Sequence, residues 1–489
     1  MQLSPDDIQS IVRKVIDKIN RGEQVPQRAA ESYSPPPVAA PAAYSPPATS
    51  VGVPGVFADM DTAVREATRA QQALMGMTLE KRRAIIANMR KRFREAIPGI
   101  SDRTVAETKL GRAADKVHKN LLAVDKTPGV EDLDPHVFTG DDGLTLVERS
   151  PFGVIGTITP TTNPTETIVC NAIGMISAGN AATFNPHPRS KGVSHEAIGI
   201  LNQAIVEAGG PPNLLTAVAE PSIKSSDDLM HHPGIKLVLV TGGGEVAKAA
   251  FNCGKKAIVA GPGNPPTVVD DSADLARAAR DIVFGASLDN NVLCIAEKEI
   301  IVVASVADRL IEELKRAAAY QVIGSNVQKL ENLVLAGGHL NRDMVGQDVQ
   351  VILGKLGITV PANMRMAFVE TGPDHPYVHT EMLMPVLPLV RVPDIDAAIE
   401  LAVRAERGNK HTATMHSRNI VSLHKMARAC ECTIFVKNGP SCAGLGFGGE
   451  GFTSFSIAGP TGEGLTRART FTRERRCTLV DLFNIVGRA

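Results

Sequence analysis

Cys294 lies in "SLDNNVLCIAE" (287–297), with Val292, Leu293 and Ile295 beside it. Those apolar neighbours suit a core thiol, because free cysteines are among the most buried residue types. The alternative is a nucleophile whose thiolate attacks a carbonyl and forms a covalent intermediate. Such chemistry needs a donor for the oxyanion that develops, and Asn163 in "TITPTTNPTETIVC" (157–170) is a candidate amide. Its competing role is an Asx-turn capping a helix that begins near Thr165. Cys442 is the rival thiol, and the Gly-rich stretch after it, "GLGFGGEGFTSFSIAGPTGEG" (444–464), reads as a flexible loop over a site.

A second set of residues could hold phosphate. "IKLVLVTGGGEVAKAAFN" reads as a buried strand, a glycine turn and a helix. Gly242-x-Gly244-x-x-Ala247 fits the pattern in which glycines let backbone N–H groups approach a pyrophosphate at a helix N-terminus. A tight structural turn accounts for the same glycines, and no acidic residue stands about twenty positions on, Asp270 being too far. Cys430 and Cys432 form a lone C-x-C with no second pair, so no metal site is expected.

These residues need a scaffold, and the pattern around them is α/β. "LTLVERSPFGVIGTITP" gives strand signals broken by Pro151 and Gly153, and residues 58–97 read as two helices. "GNAATFNPHP" is a strand and "SHEAIGILNQAIVEAGG" a helix stopped by glycines. From about residue 260, "KEIIVVAS", "ADRLIEELKRAAAY", "AAIELAVRAE", "SLHKMARA" and "CTIFVKNG" repeat the alternation. Two such blocks predict a mainly parallel sheet in each and a cleft between them.

Composition narrows the class. The 489 residues suffice for two or three domains, and 52 basic residues balance 52 acidic ones, so nothing suggests nucleic acid or a polyanion as partner. Seven cysteines, an odd number without a framework, fit a reducing compartment. No run approaches the roughly 20 apolar residues of a membrane span, and "MQLSPDDIQS" is not a secretory signal.

Residues 4–20 read as an amphipathic helix, with Ser4 as N-cap, Pro5 at the first position and a stripe of Ile8, Ile11, Val12, Val15, Ile16 and Ile19. The Pro/Ala/Ser-rich stretch that follows reads as a disordered tether. A helix so placed either folds back onto the body or docks on another protein, and docking is the expectation adopted. Its polar face mixes Asp17 with Arg13, Lys14 and Lys18 and lacks aromatics, which argues against a membrane surface.

Taken in order, Asn163, "FNPHP" (184–188), "VTGGGEV" (240–246), "GPGNPPTVV" (261–269), Cys294 and "EMLMPV" (381–386) resemble the aldehyde dehydrogenase superfamily, specifically its CoA-acylating branch. The tethered helix resembles the encapsulation peptide of the microcompartment propionaldehyde and acetaldehyde dehydrogenases. The resemblance implies a Rossmann-type cofactor domain (56–132 and 150–259), an α/β catalytic domain (260–445), and a β-hairpin oligomerisation arm with its tail (133–149 and 466–489). Ahead of these stand an encapsulation helix (1–21) and a linker (22–55).

By the same resemblance Cys294 is the nucleophile, and Asn163 with the Cys294 backbone N–H is the oxyanion donor. Thr241, Gly242 and Gly243, with Val246, line the cofactor phosphates, and Glu381 meets the nicotinamide ribose. Thr159 and Gly261-Pro262-Gly263 complete the cofactor set, and Asn185-Pro186-His187 replaces the lysine that often holds the adenosine ribose. "PTTN" has one residue more than the family's usual proline-to-asparagine spacing. The hydrolytic enzymes carry Glu-Leu-Gly-Gly where this chain has Ala260-Gly261-Pro262-Gly263, so the carboxylate that activates water is missing.

The implied reaction is oxidation of a short aliphatic aldehyde, propionaldehyde for example, to acyl-CoA with NAD and coenzyme A and no metal. It implies a homo-oligomer (dimer or tetramer) in the lumen of a cytoplasmic bacterial microcompartment, with shell or core proteins as partners of residues 1–20. The rivals are an acyl-phosphate reductase of the same superfamily and a catalytically silent scaffold.

Overall fold

The computed structural model describes residues 50–336 and 338–483. The helix expected over 4–20, and the linker as far as residue 49, lie outside them.

Two parallel sheets form the body. The first has six strands in the spatial order Val56–Phe57, Leu215–Val218, Ala181–Pro186, Val154–Thr159, Ile235–Thr241 and Ala257–Ala260. Its long strands are rich in Ile, Val, Leu, Ala and Thr and are almost wholly buried, as strands covered on both faces must be. The chain order reverses between the neighbours Val154–Thr159 and Ile235–Thr241. Such a reversal opens a crevice beyond the carboxyl ends of the strands, where α/β sheets bind ligands. Thr159 and Thr241 are the last residues of those two strands.

The second sheet has seven parallel strands, in the order Ala319–Val322, Met366–Glu370, Val386–Val392, Glu299–Val303, Pro266–Val269, Thr412–His416 and Ile434–Lys437. The α/β class with parallel sheets is therefore as expected. A third sheet is antiparallel and joins His136–Gly140, Gly143–Pro151 and Thr472–Val480. Gly143 turns its hairpin at φ +112°, where a Cβ would stand 2.1 Å from the Leu479 carbonyl oxygen.

Four helices bear on the site. They are α1 (Ala113–Lys126), α2 (Pro164–Ser177), α3 (Gly244–Phe251) and α4 (Leu275–Ser287). Helix α2 is buried all round and has its proline in the first turn, where the missing N–H is no loss. The two helices expected over 58–97 run Met60–Met75 and Leu79–Thr108, the second passing through Pro98 to a left-handed Lys109. Ile85, Met89, Phe93, Ile97 and Ile100 keep their helical spacing across the proline and are fully buried, so packing outweighs the lost hydrogen bond.

Residues 288–298 connect α4 to the central strand Glu299–Val303. Here Glu297 is buried, and its carboxylate accepts from Ser441 N (2.7 Å) and Ser441 Oγ (2.8 Å), tying this connection to residues 441–445. Gly285 makes room for it, since a Cβ there would stand 2.3 Å from a Glu297 oxygen. Burial pushes the Glu297 pKa up from 4.5 to about 7, against the two serine hydrogen bonds. The folded state thus holds this proton more tightly than the unfolded chain. Its stabilising contribution is full below 4.5 and is lost as pH rises through about 7. Glu297→Gln should therefore gain on the wild type across that window, by up to roughly 3 kcal/mol. Melting temperatures of the two proteins as a function of pH measure this, and a difference that does not vary with pH would contradict it.

Candidate active site

The chain enters Cys294 through three consecutive left-handed residues, Asp289, Asn290 and Asn291 (φ 49°, 52° and 68°). Asx residues tolerate this region better than other side chains do, yet three in a row need support. Each receives it. Asp289 Oδ1 accepts from Arg112 N (2.8 Å), and its Oδ2 from Lys116 Nζ (2.9 Å) and Lys119 Nζ (2.5 Å). Asn290 Nδ2 donates to the Gly346 carbonyl (3.0 Å) and to Asp348 Oδ1 (3.1 Å). Asn291 Nδ2 donates to the carbonyls of Ala286 (2.7 Å) and Glu297 (2.9 Å). The buried Lys298 ammonium then donates to Asn291 Oδ1 (2.6 Å) and to the Leu293 carbonyl (2.9 Å).

Held this way, Val292, Leu293 and Ile295 are buried while Cys294 is only half-buried and lines a cavity of about 250 Å³. Asn163, Ala260, Glu381 and Phe455 line it as well. Burial, with Glu381 adding to it, pushes the Cys294 pKa up to about 12, opposed by Lys298 and by the residue's own backbone N–H. These surroundings keep the sulfur as a thiol at neutral pH. Cys442 is buried in the core and lines none of the cavity, and burial raises its pKa further still.

The Asn163 side chain makes no capping bond at the start of α2, so the Asx-turn reading does not hold. Instead its Oδ1 accepts from Lys119 Nζ (2.5 Å), and its Nδ2 donates to Thr162 Oγ1 (3.1 Å) and to the Val292 carbonyl (3.3 Å), two residues before the sulfur. Helix α2 is capped through the Asn163 carbonyl, which accepts from Thr167 N (3.1 Å) and Thr167 Oγ1 (2.6 Å).

A second cavity of about 530 Å³ adjoins the first, the two sharing Pro160, His187, Thr241, Gly242 and Gly243. Thr159, Asn185, Pro186 and Val246 line this larger half. It lies at the switch point of the first sheet, beside the N-terminus of α3. Gly243 caps that helix with no side-chain hydrogen bond, and nothing stands within 4 Å of a Cβ built on it. The bare helix end and the buried Thr159 Oγ1, which has no partner among the described residues, suit a dinucleotide phosphate.

Three expected cofactor residues also bond within the protein. Asn185 spends its amide on the protein, donating to Ser226 Oγ (2.7 Å) and accepting from Ser225 Oγ (2.6 Å). Thr241 Oγ1 pairs with Ser456 Oγ (2.7 Å). Gly261 and Pro262 line the smaller cavity but Gly263 does not; its N–H points to Glu381 Oε1 (3.4 Å).

The Gly-rich stretch 444–464 is not a flexible loop. Lys126 Nζ donates to the carbonyls of Gly446 (2.6 Å) and Gly449 (3.1 Å), and residues 453–458 are buried. Phe455 from this segment forms one cavity wall. Lys116, Lys119, Lys298 and Phe455 went unmarked in the sequence, where the lysines resemble surface residues.

Gly263 packs against the nucleophile loop, and a Cβ there would stand 2.4 Å from the Cys294 carbonyl oxygen. Gly263→Ala should shift that backbone and lower turnover about 100-fold or more, while NAD binding, followed by titration, stays near wild type. Unchanged turnover would show that the loop gives way freely.

The aldehyde dehydrogenase family model matches residues 54–337. The acetylating acetaldehyde dehydrogenase EutE of Salmonella typhimurium is 49% identical over 449 residues, covering 90% of this chain and 96% of that protein. A Rhodopseudomonas palustris propionaldehyde dehydrogenase, solved with bound CoA and an acylated cysteine, superposes with a TM-score of 0.87 at 49% identity, covering 88% of this chain and 99% of that one. The propionaldehyde dehydrogenase of the Clostridium phytofermentans fucose utilisation microcompartment gives 0.87 at 44% identity, over 88% and 100%. The chain belongs to the aldehyde dehydrogenase family, in its CoA-acylating branch.

Proposed function

We propose that this enzyme converts a short aliphatic aldehyde, CoA and NAD⁺ into acyl-CoA, NADH and a proton. One observation carries the reading: Cys294 faces a cavity in which position 260 offers alanine instead of a carboxylate. The thiol loses its proton, favoured by Lys298, and attacks the aldehyde carbonyl to form a thiohemiacetal on Cys294. Asn163 Nδ2 takes the oxyanion by giving up one of its two present acceptors, and the Cys294 N–H is the second donor. NAD⁺, when bound along Gly242, Gly243 and Glu381, supplies the hydride acceptor. The acyl group then stays on Cys294 as a thioester. Ala260 supplies no base to activate water, and Glu381, the one carboxylate among the residues lining the smaller cavity, is assigned to the nicotinamide ribose. The CoA thiol, a better nucleophile, removes the acyl group and restores Cys294.

Exposed apolar residues on the antiparallel sheet and after it, among them Val137, Phe138, Val480, Leu482 and Phe483, support a homo-oligomer joined through this arm. Residues 1–20 are the segment that takes the enzyme into a microcompartment lumen by docking on a shell or core protein.

NADH absorbance should show multiple turnovers of propionaldehyde with NAD⁺ only when CoA is present, and none in Cys294→Ala. Sustained turnover without CoA would mean that water deacylates the enzyme. Residues 1–20 fused to a fluorescent reporter should carry it into microcompartments, and their removal should leave kcat/KM unchanged. A truncated enzyme that still localises would end the docking assignment.

A further inference from the structure

A carboxamide that is to serve an oxyanion must present its NH₂ to the reacting carbon, and two groups of nearly equal size distinguish its ends. Something must fix which end points where. In this protein Asn163 Oδ1 lies 2.5 Å from Lys119 Nζ. An ammonium has only hydrogens to give, so it can face the oxygen of the amide and not the nitrogen. With Oδ1 claimed on that side, Nδ2 is left to point toward Thr162 and the Val292 carbonyl, the side on which Cys294 lies.

The ammonium itself is anchored. Lys119 is 2% exposed, Asp289 and Glu166 are fully buried, and the Nζ stands 2.5 Å from Asp289 Oδ2 and 3.2 Å from Glu166 Oε1. Asp289 also begins the left-handed run into Cys294. A single buried cation thus touches both the nucleophile's loop and the amide.

We infer that Lys119 is a positioning residue for the reaction: its ammonium locks the Asn163 carboxamide with the NH₂ toward the cavity and references it to the Cys294 loop through Asp289. The inference rests on the oxyanion role given to Asn163 under Proposed function. Lys116 is not its equivalent, because its Nζ reaches Asp289 Oδ2 (2.9 Å) and the Thr162 carbonyl (3.4 Å) and makes no contact with the amide.

The test is a cycle of full-length enzymes, wild type, Lys119→Met, Asn163→Ala and the double variant, assayed for NADH formation with propionaldehyde, NAD⁺ and CoA. Asn163→Ala should lower kcat about 10²–10³-fold. Lys119→Met should lower kcat about 10- to 100-fold with the three KM values little changed, because the lost interaction is one made in the transition state. In the Asn163→Ala background the same Lys119→Met change should cost several-fold less in kcat, only its contact with the Cys294 loop through Asp289 remaining to be lost. An equal fold-loss in both backgrounds would overturn the inference and assign Lys119 to the loop alone. Wild-type kcat in Asn163→Ala would instead remove the reading beneath it, and the inference with it. If Lys119→Met does not fold, Lys119→Met/Glu166→Gln removes one charge of each sign, leaves Asp289 paired with Lys116, and is read the same way. Failure of that protein to fold as well would make Lys119 a residue of the fold and overturn the proposal.

Discussion

Three left-handed residues lead into Cys294, and the buried charges around them hold that path. Left-handed backbone outside glycine costs of order 1–3 kcal/mol per residue, so Asp289, Asn290 and Asn291 would relax if nothing opposed them. Two lysines from α1 on one side and Lys298 on the other oppose it through short hydrogen bonds. Buried charges are tolerable only when paired and hydrogen-bonded: Asp289 pairs with both α1 lysines, while Lys298 is held by Asn291 and backbone carbonyls and its pKa is lowered by burial. Burial opposes the Lys119 charge, but Asp289 and Glu166 outweigh it and hold the ammonium charged. The reactive loop is therefore rigid by electrostatics in a place where apolar packing alone would have favoured an ordinary turn.

The same desolvation governs the thiol. A sulfur whose proton is held up to about 12 is a poor nucleophile at rest and a poor target for oxidants, since both attack and oxidation proceed through the thiolate. Lys298 beside it opposes that rise, although burial lowers the pKa of the lysine as well.

The regular elements were legible because hydrophobic period and turn residues agree there. The strand-turn-helix at 235–251 and the strands around 154–159 and 181–186 fall where Val/Ile runs and glycines mark them. Cys294 was readable only through its motif order, since Val292, Leu293 and Ile295 around it are buried as core residues are. Lys116 and Lys119 were not legible. Spaced three apart on a helix, they look like solvent-facing residues, and what buries them is Asp289, 170 positions away from Lys119. The 444–464 segment misled for the converse reason. A run of glycines suggests availability, yet Lys126 with buried Ser and Thr contacts fixes this one.

The antiparallel sheet has a temporal consequence. Its central strand, Gly143–Pro151, pairs along its full length with Thr472–Val480, and Asn180, just before the strand Ala181–Pro186, donates to the Phe471 carbonyl (2.9 Å). The segment carrying Phe455 and Ser456, which walls the cavity and steadies Thr241, also comes late in the chain. During synthesis the N-terminal half can assemble its six-stranded sheet, but its arm lacks the third strand and its cavity stays open until residues 453–480 emerge. A chain stopped before those residues therefore cannot begin to process a reactive aldehyde before its own body is closed.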